Sequence, residues 1–315
     1  KDIDTDGKPI ITVIVDGAWS KRSYKSNYNA ASGVACIIGA RTNKILHLGV
    51  KNKYCFSCSR GGEVSSHVCF KNWTGTSTSM ESEIILEGFK SSVEVHNLKY
   101  AKVIGDGDSS AYRKIRCARP YGPDFYIQKI ECRNHILRNY CNKLREIANQ
   151  LKLKTVKTFL LDNIVRFRTA ITGAIKYRKS QELPEEQKIE LLRQDILGGP
   201  KHVMGNHEEC EVNGKYFCKG RKPGEKNLYN IFAESSGFEL FTTAINRVAN
   251  HAISLLCDVD NNYAENYNSQ VNKIIGGKRI NVSLSGGYEA RCYAAALNFN
   301  KEPFVLSLQR ENNIK

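Results

Sequence analysis

Two Asp-Gly steps stand where carboxylates could act on a phosphodiester. Asp16 follows the apolar run Ile10 to Val15, and Asp106-Gly107-Asp108 follows Ala101 to Ile104. An acid at the C-terminal end of a buried strand projects beyond the sheet, so neighbouring strands would set Asp16 and Asp106 side by side. Two adjacent carboxylates repel unless a cation lies between them. Hard divalent ions take oxygen donors, and two Mg²⁺ or Mn²⁺ ions can activate a nucleophile and steady the leaving oxygen in phosphodiester chemistry. A third acid is then expected, and Glu265, in the first turn of the asparagine-rich segment Asn261 to Asn268, is the candidate. Each acid alone reads as readily as a strand-end or cap residue; three of them on a basic chain favour a metal site. Asp106 at the strand end is the better ligand, while Asp108 suits the cap of a helix starting near Ser109 and stays open as the alternative.

Soft ligands form a second kind of constellation. Cys55-x-x-Cys58 followed by His67-x-Cys69 places four of them within 15 positions, the spacing of a closed tetrahedral zinc site. Cys132-x-x-His135 needs a second half, and His207-x-x-Cys210 supplies one 71 residues later, with His202 and Cys218 able to replace either member. One or two structural Zn²⁺ ions are therefore expected.

The elements that must position these groups fall into two styles. Ile10 to Val15, Gly33 to Ile38 and Ile45 to Val50 are short β-branched runs that predict an antiparallel meander. Met80 to Val95 has helical spacing and leads into Ala101 to Ile104, a helix, and a fifth strand over Phe125 to Ile130. Beyond Arg133 the spacing predicts helices over Leu137 to Leu151, Val156 to Tyr177, Pro184 to Ile196, Asn227 to Cys257 and Tyr263 to Ile275, with Gly198 to Gly224 irregular. The fold class is α/β, with a helical insertion.

The chain has 315 residues, 41% of them hydrophobic, and a formal charge of +15. Such a balance favours a polyanionic partner, with nucleic acid the default. Lys21, Arg22 and Lys25 beside Asp16, and Lys278 and Arg279 beyond Glu265, are the expected backbone contacts, and Trp19 could stack on a base. No apolar run approaches the roughly 18 residues of a membrane span, so no membrane partner is expected. The chain opens on Lys1 rather than Met, as a piece of a longer protein would.

Several separated motifs converge on one family. Asp-Gly-Ala-Trp after the first strand, Gly-Asp-Gly-Asp after the fourth, Cys132-Arg-Asn-His135 after the fifth and Ala-Glu-Asn-Tyr-Asn around Glu265 together resemble the Mutator-like transposase domain. That family belongs to the DDE transposases, which have an RNase H-like core, and the resemblance runs from residue 10 to about residue 295. It implies Asp16, Asp106 and Glu265 as the metal-binding acids of an enzyme that cuts DNA at transposon ends and transfers the freed 3′ hydroxyl to target DNA. It also implies a core over 1–135 with a zinc-binding insertion near 54–72, a helical insertion over 136–257 with a Cys/His segment near 198–224, and the last catalytic helix within 258–315. A nuclear location follows from such a role, and a homodimer stays open. Glu81 corresponds to an acid of RNase H enzymes but is unnecessary in the transposase reading and is left out. Two other classes share the same residues: a domesticated transposase that only binds DNA or chromatin, and an RNase H-type nuclease without strand transfer.

Overall fold

β-Branched runs at the start of the chain form three consecutive strands, β1 (Ile10–Trp19), β2 (Ser32–Gly39) and β3 (Ile45–Asn52). After a short helix α1 (Phe56–Ser59) and a long one, α2 (Ser79–His96), come β4 (Lys99–Gly105), α3 (Ser110–Ala118) and β5 (Gln128–Glu131). The computed structural model describes residues 2–20, 30–63, 66–107, 110–213, 216–276, 282 and 286–301. The five strands make one mixed sheet in the order β3-β2-β1-β4-β5, with β1 antiparallel to β2 and parallel to β4. β2 is buried along its whole length, as a strand covered on both faces must be.

Alternation along the strands sorts the two faces. Val13, Val15, Ala35, Ile37 and Val103 form one apolar cluster with Ile84, Ile85 and Phe89 of α2. Glycines let that helix approach: a Cβ at Gly88 would lie 2.5 Å from Ile37 Cδ1, and one at Gly49 would lie 2.5 Å from Ile84 Cγ2. Ile14, Asp16, Cys36 and Ile104 therefore point to the opposite face.

Seven further helices follow: α4 (Arg133–Gln150), α5 (Lys154–Asp162), α6 (Ile164–Ser180), α7 (Glu185–Val203), α8 (Glu208–Asn213), α9 (Leu228–Ala233) and α10 (Phe238–Asn250). The chain then adds α11 (Ala252–Cys257), α12 (Asn262–Ile275) and α13 (Gly287–Phe299). It divides into two compact units, one of Lys1–Ile130 with Asn261–Lys315 and one of Glu131–Asp260. In the first, α12 packs on β1 and β2, and α13 packs on α12 and β3.

The helical unit has its own core, built from α4 to α7 and α10, with Leu137, Leu144, Phe167, Leu192 and Phe241 at its centre. Inside it Arg178 makes a two-pronged ion pair with Asp195, Nε to Oδ2 at 2.6 Å and Nη2 to Oδ1 at 3.0 Å. The Asp195 side chain is fully buried. Removing one partner leaves the other charge in the interior, so Asp195→Ala is expected to destabilise this unit by about 3–5 kcal/mol. Urea unfolding followed by circular dichroism measures it, and a loss below about 1 kcal/mol, the level of an exposed pair, would refute the assignment.

Candidate functional site

Asp16 reaches the sheet end through a register that the strand pairing fixes. Ile14 of β1 lies opposite Ile104 of β4 in parallel alignment, so two residues further on Asp16 comes level with Asp106. A Cβ at Gly105 would meet Val15 Cγ2 at 3.3 Å, which puts Gly105 on the α2 face and leaves Asp106 on the same side as Asp16. Both acids are held alike: Asp16 Oδ1 accepts from the Gly17 N–H at 2.9 Å, and Asp106 Oδ1 accepts from the Gly107 N–H. Asp16 is half-buried and Asp106 is exposed.

Helix α12 covers this side. Its Asn268 donates from Nδ2 to Asp16 Oδ2 at 3.0 Å and lies 3.4 Å from the Gly17 carbonyl oxygen. Glu265, exposed and one turn earlier, lies toward the same side of α12. From the opposite face Glu81, in the first turn of α2, comes against β1 at Gly17, where an added Cβ would lie 2.8 Å from its Cδ. Burial pushes the Cys36 thiol well up, and the negative charges of Asp16 and Glu81 add to that.

Sequence reasoning thus left out one acid that stands beside the site, and it did not single out Asn268. Glu81 was visible as an acid on the helix after the third strand; Asn268 had a signal only in the asparagine-rich composition around Glu265.

An all-oxygen set of Asp16, Asp106 and Glu265 suits a hard divalent cation. The Oδ1 of Asn268 is a further oxygen, buried and with no hydrogen-bond partner among the described residues. The three acids do not themselves appear among the described groups whose ligand atoms all lie within 4.8 Å of one another. Asp108 lies outside the described residues, as do Lys21, Arg22, Lys25, Lys278 and Arg279. Trp19 is half-buried, and its Nε1 donates to the Ser77 carbonyl at 2.9 Å, which ties it to the segment before α2.

Two groups do draw together that closely, and both could bind zinc. The first is Cys55, Cys58, His67 and Cys69, with His67 Nε2 3.3 Å from both the Cys55 and Cys58 sulfurs and the Cys58 and Cys69 sulfurs 3.5 Å apart. A tetrahedral ion with bonds of roughly 2.0–2.3 Å would space its ligands by roughly 3.3–3.8 Å, close to those values. His67 Nδ1 faces the Glu63 carbonyl at 2.8 Å, which fixes the ring with Nε2 inward.

Backbone N–H groups of Cys58 and Phe70 draw the Cys55 thiol down to about 6, while the hydrogen bond with Cys69 pushes Cys58 up to about 11.

The second group is His202, His207, Cys210 and Cys218. His207 Nδ1 lies 3.2 Å from Cys218 Sγ, and Cys210 Sγ lies 3.5 Å from His202 Nδ1. Behind His207, Nε2 meets Glu225 Oε2 at 3.0 Å, the carboxylate backing typical of a metal-ligating histidine. Glu225 itself is held low, first by the Lys222 N–H and then by His207, and burial lowers His202.

Of the residues expected for this site, His207 and Cys210 stand here with His202 and Cys218, the two named as able to replace a member, rather than with Cys132 and His135. Cys132 caps α4, and His135 lies in that helix's first turn; neither belongs to the group. The reason is the length of α7. It runs on through Gly198, Gly199 and Pro200 to Val203, which delivers His202 from its last turn to a set closed within residues 202–218.

The family model for Mutator-like transposases matches residues 1–218. The chain belongs to the Mutator-like transposase family. No curated protein and no solved structure matches it. Membership of a transposase family implies a DNA-binding enzyme that cuts nucleic acid and suggests the use of a divalent metal. The matched span holds Asp16, Asp106 and both Cys/His groups and ends before α12, so the family match does not reach Glu265. No described helix is long and apolar enough to cross a membrane.

Proposed function

We propose that the first unit is the RNase H-like catalytic core of a DDE transposase, with Asp16, Asp106 and Glu265 as its metal-binding acids. The observation that supports this reading is the parallel register of β1 and β4, which levels Asp16 with Asp106 on the face where Asn268 of α12, one turn after Glu265, bonds to Asp16. When bound, two Mg²⁺ or Mn²⁺ ions would lower the pKa of an attacking oxygen and offset charge on the leaving one. The chain's own part is to hold the carboxylates. Gly17 and Gly107 N–H groups fix one oxygen of each aspartate, and Asn268 orients the other oxygen of Asp16.

In this reading the site cuts DNA at transposon ends and then joins the freed 3′ hydroxyl to target DNA, and the protein works in the nucleus. Zn²⁺ is the ion proposed for both Cys/His groups, in structural roles, since each closes four protein ligands without an open position. The test is plasmid nicking in Mg²⁺ or Mn²⁺, together with joining of a labelled duplex ending in a 3′ hydroxyl, by the wild type and by Asp16→Ala. Joined product from the wild type alone supports the reading; equal nicking by the variant overturns it.

A further inference from the structure

Asn268 is poised to do more than orient Asp16. Its Nδ2 faces two acceptors, Asp16 Oδ2 at 3.0 Å and the Gly17 carbonyl oxygen at 3.4 Å. Only the nitrogen end of the amide can donate, so those two oxygens decide which end points at Asp16. A flipped amide would set an oxygen against a carboxylate and a carbonyl. The Oδ1 is thereby held on the other side, where it is buried and has no hydrogen-bond partner among the described residues. A buried acceptor in that state is costly and marks a place for something that supplies positive charge or a donor.

The neighbourhood narrows what that is. Asp16 lies on one side of the amide, and Glu265 sits one turn back on the same helix. Asp106 is level with Asp16 on the adjacent strand. Beside these acids, a cation or a water bound to it would match the neutral oxygen of an amide.

We propose that Asn268 is a positioning residue of the acid site, holding Asp16 by its amide hydrogen and presenting Oδ1 to the divalent cation or its water shell. This rests on the reading of Asp16, Asp106 and Glu265 as the metal-binding acids.

The experiment titrates Mn²⁺ into the zinc-loaded chain and follows free Mn²⁺ by electron paramagnetic resonance. Wild type, Asp16→Ala, Asn268→Ala and Asn268→Asp are compared. Asn268→Ala is expected to weaken Mn²⁺ binding by about 10–100-fold, the effect of losing a group that orients a metal ligand. Its nicking activity should return at raised Mn²⁺, which a merely misfolded variant would not show.

Asn268→Asp keeps an oxygen but loses the donor and places a second carboxylate against Asp16. Its metal-free melting temperature should fall, and Mn²⁺ should raise it by more than it raises the wild type's. Wild-type Mn²⁺ affinity in Asn268→Ala, or equal Mn²⁺ shifts in Asn268→Asp and the wild type, would overturn the proposal while leaving the acid site standing, provided Asp16→Ala has lost binding. Wild-type binding by Asp16→Ala would overturn the acid site itself.

Discussion

Alanine at Asp16 is expected to remove metal-dependent DNA cleavage while the protein stays folded. The side chain is half-buried on the α12 face, whereas the apolar contacts that anchor β1 come from Val13 and Val15 on the other face. Deleting the carboxylate therefore opens no cavity in that cluster and forfeits chiefly the hydrogen bonds to Gly17 and Asn268. Catalysis has more to lose. A direct metal ligand matters more than an outer partner, whose loss costs roughly 10–100-fold, so plasmid nicking should fall by well over 100-fold. Asp16→Asn separates charge from shape, since it keeps the size of the side chain and should be nearly as inactive. Unchanged far-ultraviolet circular dichroism with abolished nicking is the expected pair of results; retained nicking in either variant would remove Asp16 from the site.

How much of this the sequence discloses depends on whether the physics is local. The first four strands were legible because β-branched runs between turn residues leave few other choices. The strand-end placement of Asp16 and Asp106 was legible because each follows an apolar run and precedes a glycine; that their 90-residue spacing equals the offset of the Ile14–Ile104 pairing is visible only in the register of the sheet. The Cys55–Cys69 group was legible because all four ligands lie on one short segment.

Elsewhere tertiary packing overrode local signals. The helix expected over Val156 to Tyr177 is two helices broken at Asn163, whose side-chain Nδ2 donates to the Phe159 carbonyl at 2.8 Å; the apolar spacing continues across the break and hides it. Asn227 to Cys257 likewise divides into α9, α10 and α11. At Gly198-Gly199-Pro200 the error runs the other way, because these residues predict a stop. The helix persists there with Gly199 packed close to Ala170 of α6, where an added Cβ would lie 3.7 Å away. That one continuation decides which histidine joins the second Cys/His group. Helix α13 and the role of Asn268 had no local signal strong enough to find them.

Two zinc ions per chain are expected from plasma emission spectrometry of the purified protein, and single-ligand variants should separate them. Cys58→Ser removes a ligand that contacts both His67 and Cys69, and should lower the content to one. Cys210→Ser should do the same through the other group, whereas Cys132→Ser should leave two, because Cys132 stands outside the set closed by residues 202–218. The stability consequences differ between the groups. The 55–69 segment has little apolar content of its own and, among its described residues, α1 is four residues long, so losing the ion should free it to proteolysis. The second group is backed by more packing: His207 and Cys210 are buried, and Tyr216 stacks on Tyr177 at 3.6 Å and contacts Phe217. Chelation should therefore expose the first segment to trypsin before the second, with Arg60 the cleavage point within it. Loss of one zinc on Cys132→Ser as well as on Cys210→Ser would return the second site to the pairing of Cys132 and His135 with His207 and Cys210, and one zinc in the wild type would remove one of the two groups.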